Sequence, residues 1–168
     1  MAAAAVCIAL AAPAAHAQRV SPHETHEFVV DGATITISYG RPSMRGRKIF
    51  GALVPYNNKV WMPGADEATV FETTAALQFG DVKLPAGRYS LYTMPSDKQW
   101  TLIVNKKTGQ WHTLYVPDED IAKLSMTAEQ LPAPVEQLTI SAVPHPPGGA
   151  IRLEWETTRF SVPFTVIH

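Results

Sequence analysis

The chain has 168 residues, a formal net charge of −1 and 46% hydrophobic residues. Its basic residues are spread along the chain apart from one cluster, so the composition argues against nucleic acid or an anionic membrane as its main partner. About 150 residues follow the N-terminal apolar segment, which is enough for one domain with its own core.

The N-terminal segment, residues 1–17, predicts a secretory signal peptide. It contains no Lys, Arg, Asp or Glu and consists mainly of Ala, and it is too short to span a bilayer. Residues 15–17 (Ala-His-Ala) match a cleavage site, so we expect a mature chain that begins at Gln18 and a periplasmic or secreted location. The only cysteine, Cys7, lies in this segment, so the mature chain would lack any thiol or disulfide. The alternatives are a lipoprotein with an acylated Cys7 and an Ala-rich helix of a protein that is not exported.

Residues 18–168 predict an all-β fold, a single antiparallel β-sandwich of jelly-roll type with one long ordered loop and little helix. Segments of alternating polar and apolar residues recur between turn residues. The predicted strands are residues 26–30, 34–39, 69–74, 76–79, 87–94, 100–105, 136–143, 151–156 and 161–167. Asp31 and Gly32 predict a tight turn between the first two strands. Fourteen prolines disfavour long helices, and the one predicted helix is short, within residues 117–126.

The long loop, residues 40–67, interrupts this pattern of strands and turns. Its apolar content is too high for a disordered linker, and loops of this length in compact domains are usually functional or internally packed. We therefore expect the loop to fold back onto the sandwich.

Several segments of the chain together resemble a known family. They are residues 39–51, 53–56, 60–61, 64–69, 85–92, 100–105, 108–111 and 153–156, and they extend over nearly all of the chain that follows the signal peptide. In these segments the chain resembles a bacterial exported family known only as domain-of-unknown-function family 2911. The resemblance implies an exported β-sandwich, and it carries no activity, substrate or catalytic residue.

The basic cluster contains four cations within eight residues: Arg41, Arg45, Arg47 and Lys48. Guanidinium groups bind carboxylate or phosphate with two parallel hydrogen bonds, so one interpretation is an anionic ligand. The other is that Arg41 and Arg47 pair with Asp66 or Glu67 and fix the loop to the sheet.

The candidate ligand site is a cleft formed around the long loop. Its predicted members are aromatic residues of the loop together with polar residues that could converge on it: Arg41, Arg47, Tyr56, Trp61, Glu67 and Asn105. Such a mixture is usual in small-molecule or sugar sites, although each aromatic side chain could equally belong to the core. The predicted partner is a small molecule or another envelope protein, and no cofactor is implied.

The alternative function is a periplasmic hydrolase or metal-dependent enzyme that uses His23, His26, Glu67 and His112. His23 and His26 would point to opposite sides of a regular strand, so a metal would need ligands from other segments. No serine-hydrolase elbow, phosphate loop or dinucleotide fingerprint is present.

A last pair of carboxylates, Glu154 and Glu156, alternates with a tryptophan and is expected on one polar face of a strand. The sequence thus favours a binding protein over an enzyme.

Overall fold

The computed structural model describes residues 20–168. The predicted signal peptide, residues 1–17, and the predicted mature N-terminus at Gln18 lie outside these residues. Two antiparallel sheets face each other, so the prediction of an all-β sandwich is confirmed. Among the described residues, no helix has the length and apolar character of a transmembrane span.

One sheet has six strands in the order β1-β2-β3-β6-β7-β8. They are β1 (His23–Val30), β2 (Ala33–Gly40), β3 (Val70–Thr73), β6 (Gly87–Met94), β7 (Thr101–Asn105) and β8 (Asp120–Ser125). The other sheet has four strands in the order β5-β4-β10-β9. They are β4 (Ala76–Phe79), β5 (Val82–Leu84), β9 (Thr127–His145) and β10 (Gly148–Ile167).

The main core lies between the sheets because each strand directs every second side chain inward. Ile35 and Ile37 of β2 are completely buried, and Leu138 of β9 and Leu153 of β10 cover them from the opposite sheet. The period-two pattern that predicts the strands is therefore the pattern that fills the core.

The turn between β1 and β2 has the predicted geometry. Asp31 and Gly32 have φ values of 46° and 78°, and they connect Val30 to Ala33, which form the last pair of the ladder. Positive φ at both central residues is the requirement of a two-residue hairpin turn whose twist matches the strands.

The predicted helix at residues 117–126 is wrong. Only Pro117–Glu119 forms a single 3-10 turn, and β8 follows directly. Acidic residues in the first turn favoured a helix, but Ala122 and Leu124 of β8 are buried in alternation with exposed neighbours. Pairing with β7 places these two side chains in the core. This packing outweighs the preference of the acidic first turn for a helix.

Strand β10 joins the predicted strands 151–156 and 161–167 and bends between them. Glu156 has a φ of 54° at the bend, where the register with β9 also shifts. A Cβ atom on Gly148 would lie 2.3 Å from the carbonyl oxygen of Phe164. The C-terminal part of β10 therefore lies next to its first residues.

The long loop between β2 and β3 is ordered, as predicted. Short bridges attach it at Ser43 to β9 and at Trp61 to β6. Ile49 and Val54 are buried in the main core. Met62 belongs to a smaller core on the outer side of the six-stranded sheet. The loop is thus a packed part of the fold that also covers one end of the sandwich.

Candidate functional site

The candidate site is a cleft of about 500 Å³, here called the Tyr56 cleft. The long loop, the turn before β7, the β8–β9 corner and the bend of β10 contribute to its walls. Its lining residues are Tyr56, Ser96, Asp97, Lys98, Gln99, Trp100, Ser125, Met126, Thr127, Ala128, Thr158 and Phe160. Its volume is in the range of small-molecule sites.

Two stacked aromatic rings form the apolar part of the cleft. The ring centroids of Trp100 and Phe160 lie 4.0 Å apart with an interplanar angle of 18°. Phe50 of the long loop contacts both rings edge-on. Trp100 and Phe160 are only 4% and 3% exposed, so these rings are held rigidly by the core.

Tyr56 is the exposed aromatic residue of the cleft, at 44% exposure. Its ring meets Trp100 edge-on at 6.4 Å and lies over Gly51, where a Cβ atom would be 3.1 Å from the ring. Gly51 also has a φ of 79°, a conformation that favours glycine. Burial of the hydroxyl raises the pKa of Tyr56, so the phenol stays neutral and able to donate a hydrogen bond.

Polar side chains form the rim of the cleft. Asp97 and Lys98 are neighbours there and contribute one charge of each sign. Gln99 is fixed because its Nε2 donates to the carbonyl oxygen of Met126 at 2.6 Å. The rim therefore offers hydrogen bonds without a dominant charge.

A second cavity, of about 450 Å³, lies between loop residues 60–64 and the segment 112–115. Trp61 and His112 both line it. Trp61 also stacks on Trp155 of the main core at 6.4 Å and 11°, so part of its indole serves packing. Nδ1 of His112 hydrogen bonds to the carbonyl oxygen of Asp66 at 2.6 Å.

Arg41 has structural partners. Its Nη1 donates to Oε2 of Glu24 at 2.6 Å, and its Nε donates to the carbonyl oxygen of Leu138 at 3.1 Å. These bonds connect β1 of one sheet with β9 of the other. The Arg41 guanidinium holds the pKa of the Glu24 carboxyl below its ordinary value, and the hydrogen bond from His26 acts in the same direction.

Arg47 and Glu67 have other contacts. Arg47 donates from Nε to the carbonyl oxygen of Met44 and from Nη2 to that of Ser43. Oε2 of Glu67 lies 3.6 Å from Nδ1 of His23. Arg41 thus pairs internally, but with Glu24 in place of Asp66 or Glu67.

Asn105 is completely buried. Its Nδ2 donates to the carbonyl oxygen of Val116 and to Oδ1 of Asp120, both at 2.8 Å, and its Oδ1 accepts from the amide of Lys107. The six predicted site residues are therefore distributed over different parts of the molecule. Only Tyr56 lines the candidate cleft.

The three candidate histidines do not converge. His23 bonds to Ser38 on one face of β1, His26 bonds to Glu24 on the other, and His112 lies beside the second cavity. Among residues 20–168, no group of three or more His, Cys, Asp or Glu side chains could hold a metal ion. The structure gives the metal-dependent enzyme hypothesis no support.

Glu154 and Glu156 flank the buried Trp155 on β10, in line with the predicted alternation, and each carboxylate has a partner of its own. Glu154 accepts from Nε of Arg159 at 2.6 Å. Oε2 of Glu156 accepts from the backbone amides of Ile49 and Phe50, at 3.2 and 3.1 Å. Glu156 thus fixes a turn of the long loop.

The sequence did not reveal the structural roles of Glu24 and Glu156 or the pairing of Trp100 with Phe160. The shared face of Glu24 and His26 on β1 was a usable signal for the first. The others depend on contacts between segments more than fifty residues apart, for which the sequence carries no local pattern.

The comparison with family models matches residues 21–164 to the family described as "Protein of unknown function (DUF2911)". This match covers most of the chain, so the protein belongs to that family, and the predicted resemblance is confirmed. No curated protein and no solved structure matches the chain.

Proposed function

We propose that this protein is an exported binding protein that takes a small neutral polar ligand, of the sugar class, in the Tyr56 cleft. One observation carries the proposal: the half-exposed ring of Tyr56 stands beside the buried rings of Trp100 and Phe160, inside a rim of polar side chains.

The chemistry of the cleft fits a ligand that has an apolar face and several hydroxyl groups. Aromatic side chains offer flat apolar area with little loss of side-chain entropy. Hydroxyl and amide groups of the rim supply donors and acceptors for orientation. Asp97 and Lys98 carry opposite charges that balance each other. A neutral ligand can therefore bind without burying an uncompensated charge.

Export is part of this proposal and rests on residues 1–17. Their composition and the Ala-His-Ala pattern at 15–17 are those of a cleavable signal peptide. Cell fractionation, together with the intact mass of the protein from its host, tests this part. We expect a chain that begins at Gln18 in the exported fraction, and an unprocessed chain in the cytosol would refute it.

The binding proposal is tested with a panel of neutral mono- and oligosaccharides, titrated while the indole NMR signal of Trp100 is followed. We expect at least one member of the panel to cause a saturable shift. Tyr56→Ala should weaken that binding about fivefold, since loss of an aromatic contact costs on the order of 1 kcal/mol.

Leu53→Ala is the matched control for Tyr56→Ala. Leu53 lies on the same loop with similar exposure, 46%, and does not line the cleft. Its removal should leave binding unchanged. Equal losses in the two variants, or no saturable shift with any saccharide, would overturn the proposal.

A second candidate function is docking of a protein partner, favoured by exposed apolar residues beside the second cavity. Trp111 and Leu114 are 51% and 49% exposed. Exposed Trp side chains are common anchors of protein interfaces. Cross-linking in the host should capture a partner that Trp111→Ala loses and Tyr56→Ala retains, and the reverse pattern would exclude this surface.

A further inference from the structure

A small cavity on the outer face of the four-stranded sheet adjoins the Tyr56 cleft, with which it shares Thr127. Its volume is about 210 Å³, and its lining residues are Thr127, Glu129, His145, Ala150, Arg152, Ser161 and Pro163. Sites for whole drug-sized ligands are larger. This cavity therefore suits an ion or the end group of a longer molecule.

The bend of β10 brings the polar residues of this cavity together. Arg152 lies between the core residues Ile151 and Leu153, and Ser161 between Phe160 and Val162. Both side chains therefore face away from the core. Because the two halves of β10 fold back on each other, a hydroxyl group and a guanidinium group distant in sequence line the same cavity.

Arg152 has no charge partner among residues 20–168. Its Nε is shielded from solvent and makes no hydrogen bond. The neighbouring carboxylates are bonded to another cation, since Arg159 binds Glu154 at 2.6 Å and Glu129 at 3.4 Å. A buried donor without an acceptor is costly and uncommon, and no carboxylate of the described chain pairs with this guanidinium, so its charge remains available to an anion that enters the cavity beside it.

Further donors lie beside this guanidinium. Within the part of the chain that the structure describes, Thr127 and Ser161 make no side-chain hydrogen bond, and His145 has neither a hydrogen bond nor an ion pair. Hydroxyl groups and an imidazole next to a guanidinium are the groups that surround bound oxyanions in proteins.

We propose that this cavity, here called the Arg152 site, binds the oxyanion group of a small ligand, either a carboxylate or a phosphate. The two Nη groups of Arg152 provide parallel hydrogen bonds, and Ser161 and Thr127 donate to the remaining oxygens. The site shares Thr127 with the Tyr56 cleft, but its occupant is an anion instead of a neutral molecule.

The test uses the full mature chain with inorganic phosphate and, separately, acetate as probes, at constant ionic strength set with sodium chloride. The Nε–Hε signal of Arg152 is followed by NMR. We expect a saturable shift of this signal with at least one probe, and the probe that saturates at the lower concentration identifies phosphate or carboxylate as the preferred group.

Two variants and one control make the result specific to the site. Arg152→Gln removes the charge, and Arg152→Lys keeps the charge but loses the paired donors. Both variants should weaken probe binding at least tenfold. Binding to these variants is followed by the NMR signal of the Ser161 amide. Arg88→Gln removes an exposed arginine that pairs with Glu72 on the other sheet, and it should bind the probe as the wild type does.

The opposite results would overturn the proposal. These are no saturable shift with either probe, or an equal loss in Arg88→Gln and Arg152→Gln. Folding of each variant is checked by its thermal transition. If Arg152→Gln does not fold, Arg152→Lys decides, because it retains the charge and most of the side-chain volume.

Discussion

At the residue scale, the pair of Glu24 and Arg41 connects the two sheets. Arg41 is 17% exposed and Glu24 34%, so solvent screens the pair only in part. Arg41 also reaches the backbone of β9. The pair therefore has a structural role that its place in a cluster of four cations did not reveal.

This pair gives the first prediction. Because the Arg41 guanidinium lowers the pKa of Glu24, the pair stabilises the fold at neutral pH, and this stabilisation is lost as the pH falls through that lowered pKa. Glu24→Gln should lower the free energy of unfolding at pH 7 by about 1 kcal/mol, a value that allows for screening of the partly exposed pair by solvent. The deficit should vanish in acid.

Urea unfolding between pH 3 and pH 7 measures the effect. Glu27→Gln is the control, since Glu27 lies exposed on the other face of β1 and should cause no comparable change. A deficit of Glu24→Gln that stays constant down to pH 3 would contradict the ionic origin of the stabilisation.

Asn105 leads to the second prediction at this scale. Its amide joins β7 to the segment that ends in β8 by hydrogen bonds to Val116, Asp120 and Lys107. Asn105→Ala should lower the free energy of unfolding by about 2 to 3 kcal/mol, because buried acceptors lose their donor. Thermal unfolding beside a Thr108→Ala control checks this, and a loss below that of the control would show that these bonds are dispensable.

At the scale of elements, the strands were largely predictable from the sequence, but the turn before β8 and the bend within β10 were not. Alternation located β2 because one face of this strand is more deeply buried than the other. The same alternation exists in β8, but the acidic turn before it has the composition of a helix start. The bend of β10 depends on packing between its two halves, so no local pattern could reveal it.

The candidate site was less predictable than the fold. Tyr56 was identified because aromatic residues on a long loop are unusual outside the core. Trp100 and Phe160 are distant in sequence and meet only when the β8–β9 corner and the bend of β10 come together. A cleft made of turns from four segments has no period or spacing that a sequence could display.

The third prediction concerns the turn of the long loop that Glu156 fixes. This carboxylate accepts from the amides of Ile49 and Phe50, much as a capping residue does at a helix start. Glu156→Ala should lower the free energy of unfolding by about 1 to 2 kcal/mol. Hydrogen exchange at these two amides should accelerate, while Glu156→Gln, which keeps an acceptor oxygen, should have an intermediate effect.

A control variant separates loss of the hydrogen bonds from loss of a carboxylate. Glu72→Ala removes an exposed carboxylate, 50% accessible and paired with Arg88, and should change stability by less than about 1 kcal/mol. Unchanged exchange at Ile49 and Phe50 in Glu156→Ala would refute the role of Glu156.

At the scale of the whole molecule, the fold is stabilised without a disulfide among residues 20–168. The described residues contain no cysteine, and the only one in the chain is Cys7. A chain of about 150 residues buries nearly 70% of its unfolded surface, enough for a domain without disulfides. The long loop adds to this burial, since Ile49 and Val54 complete the main core.

The fourth prediction follows from the position of Cys7. If cleavage occurs after Ala17, the exported protein contains no thiol, whereas its precursor contains one per chain. Thiol titration of the denatured exported protein should therefore find none, and its melting temperature should be the same with and without a reducing agent, because no covalent link constrains the unfolded chain. A Cys7→Ser precursor is the control for the titration. One thiol per exported chain would show that residue 7 is retained, and a melting temperature that falls on reduction would reveal a disulfide between retained Cys7 residues of two chains.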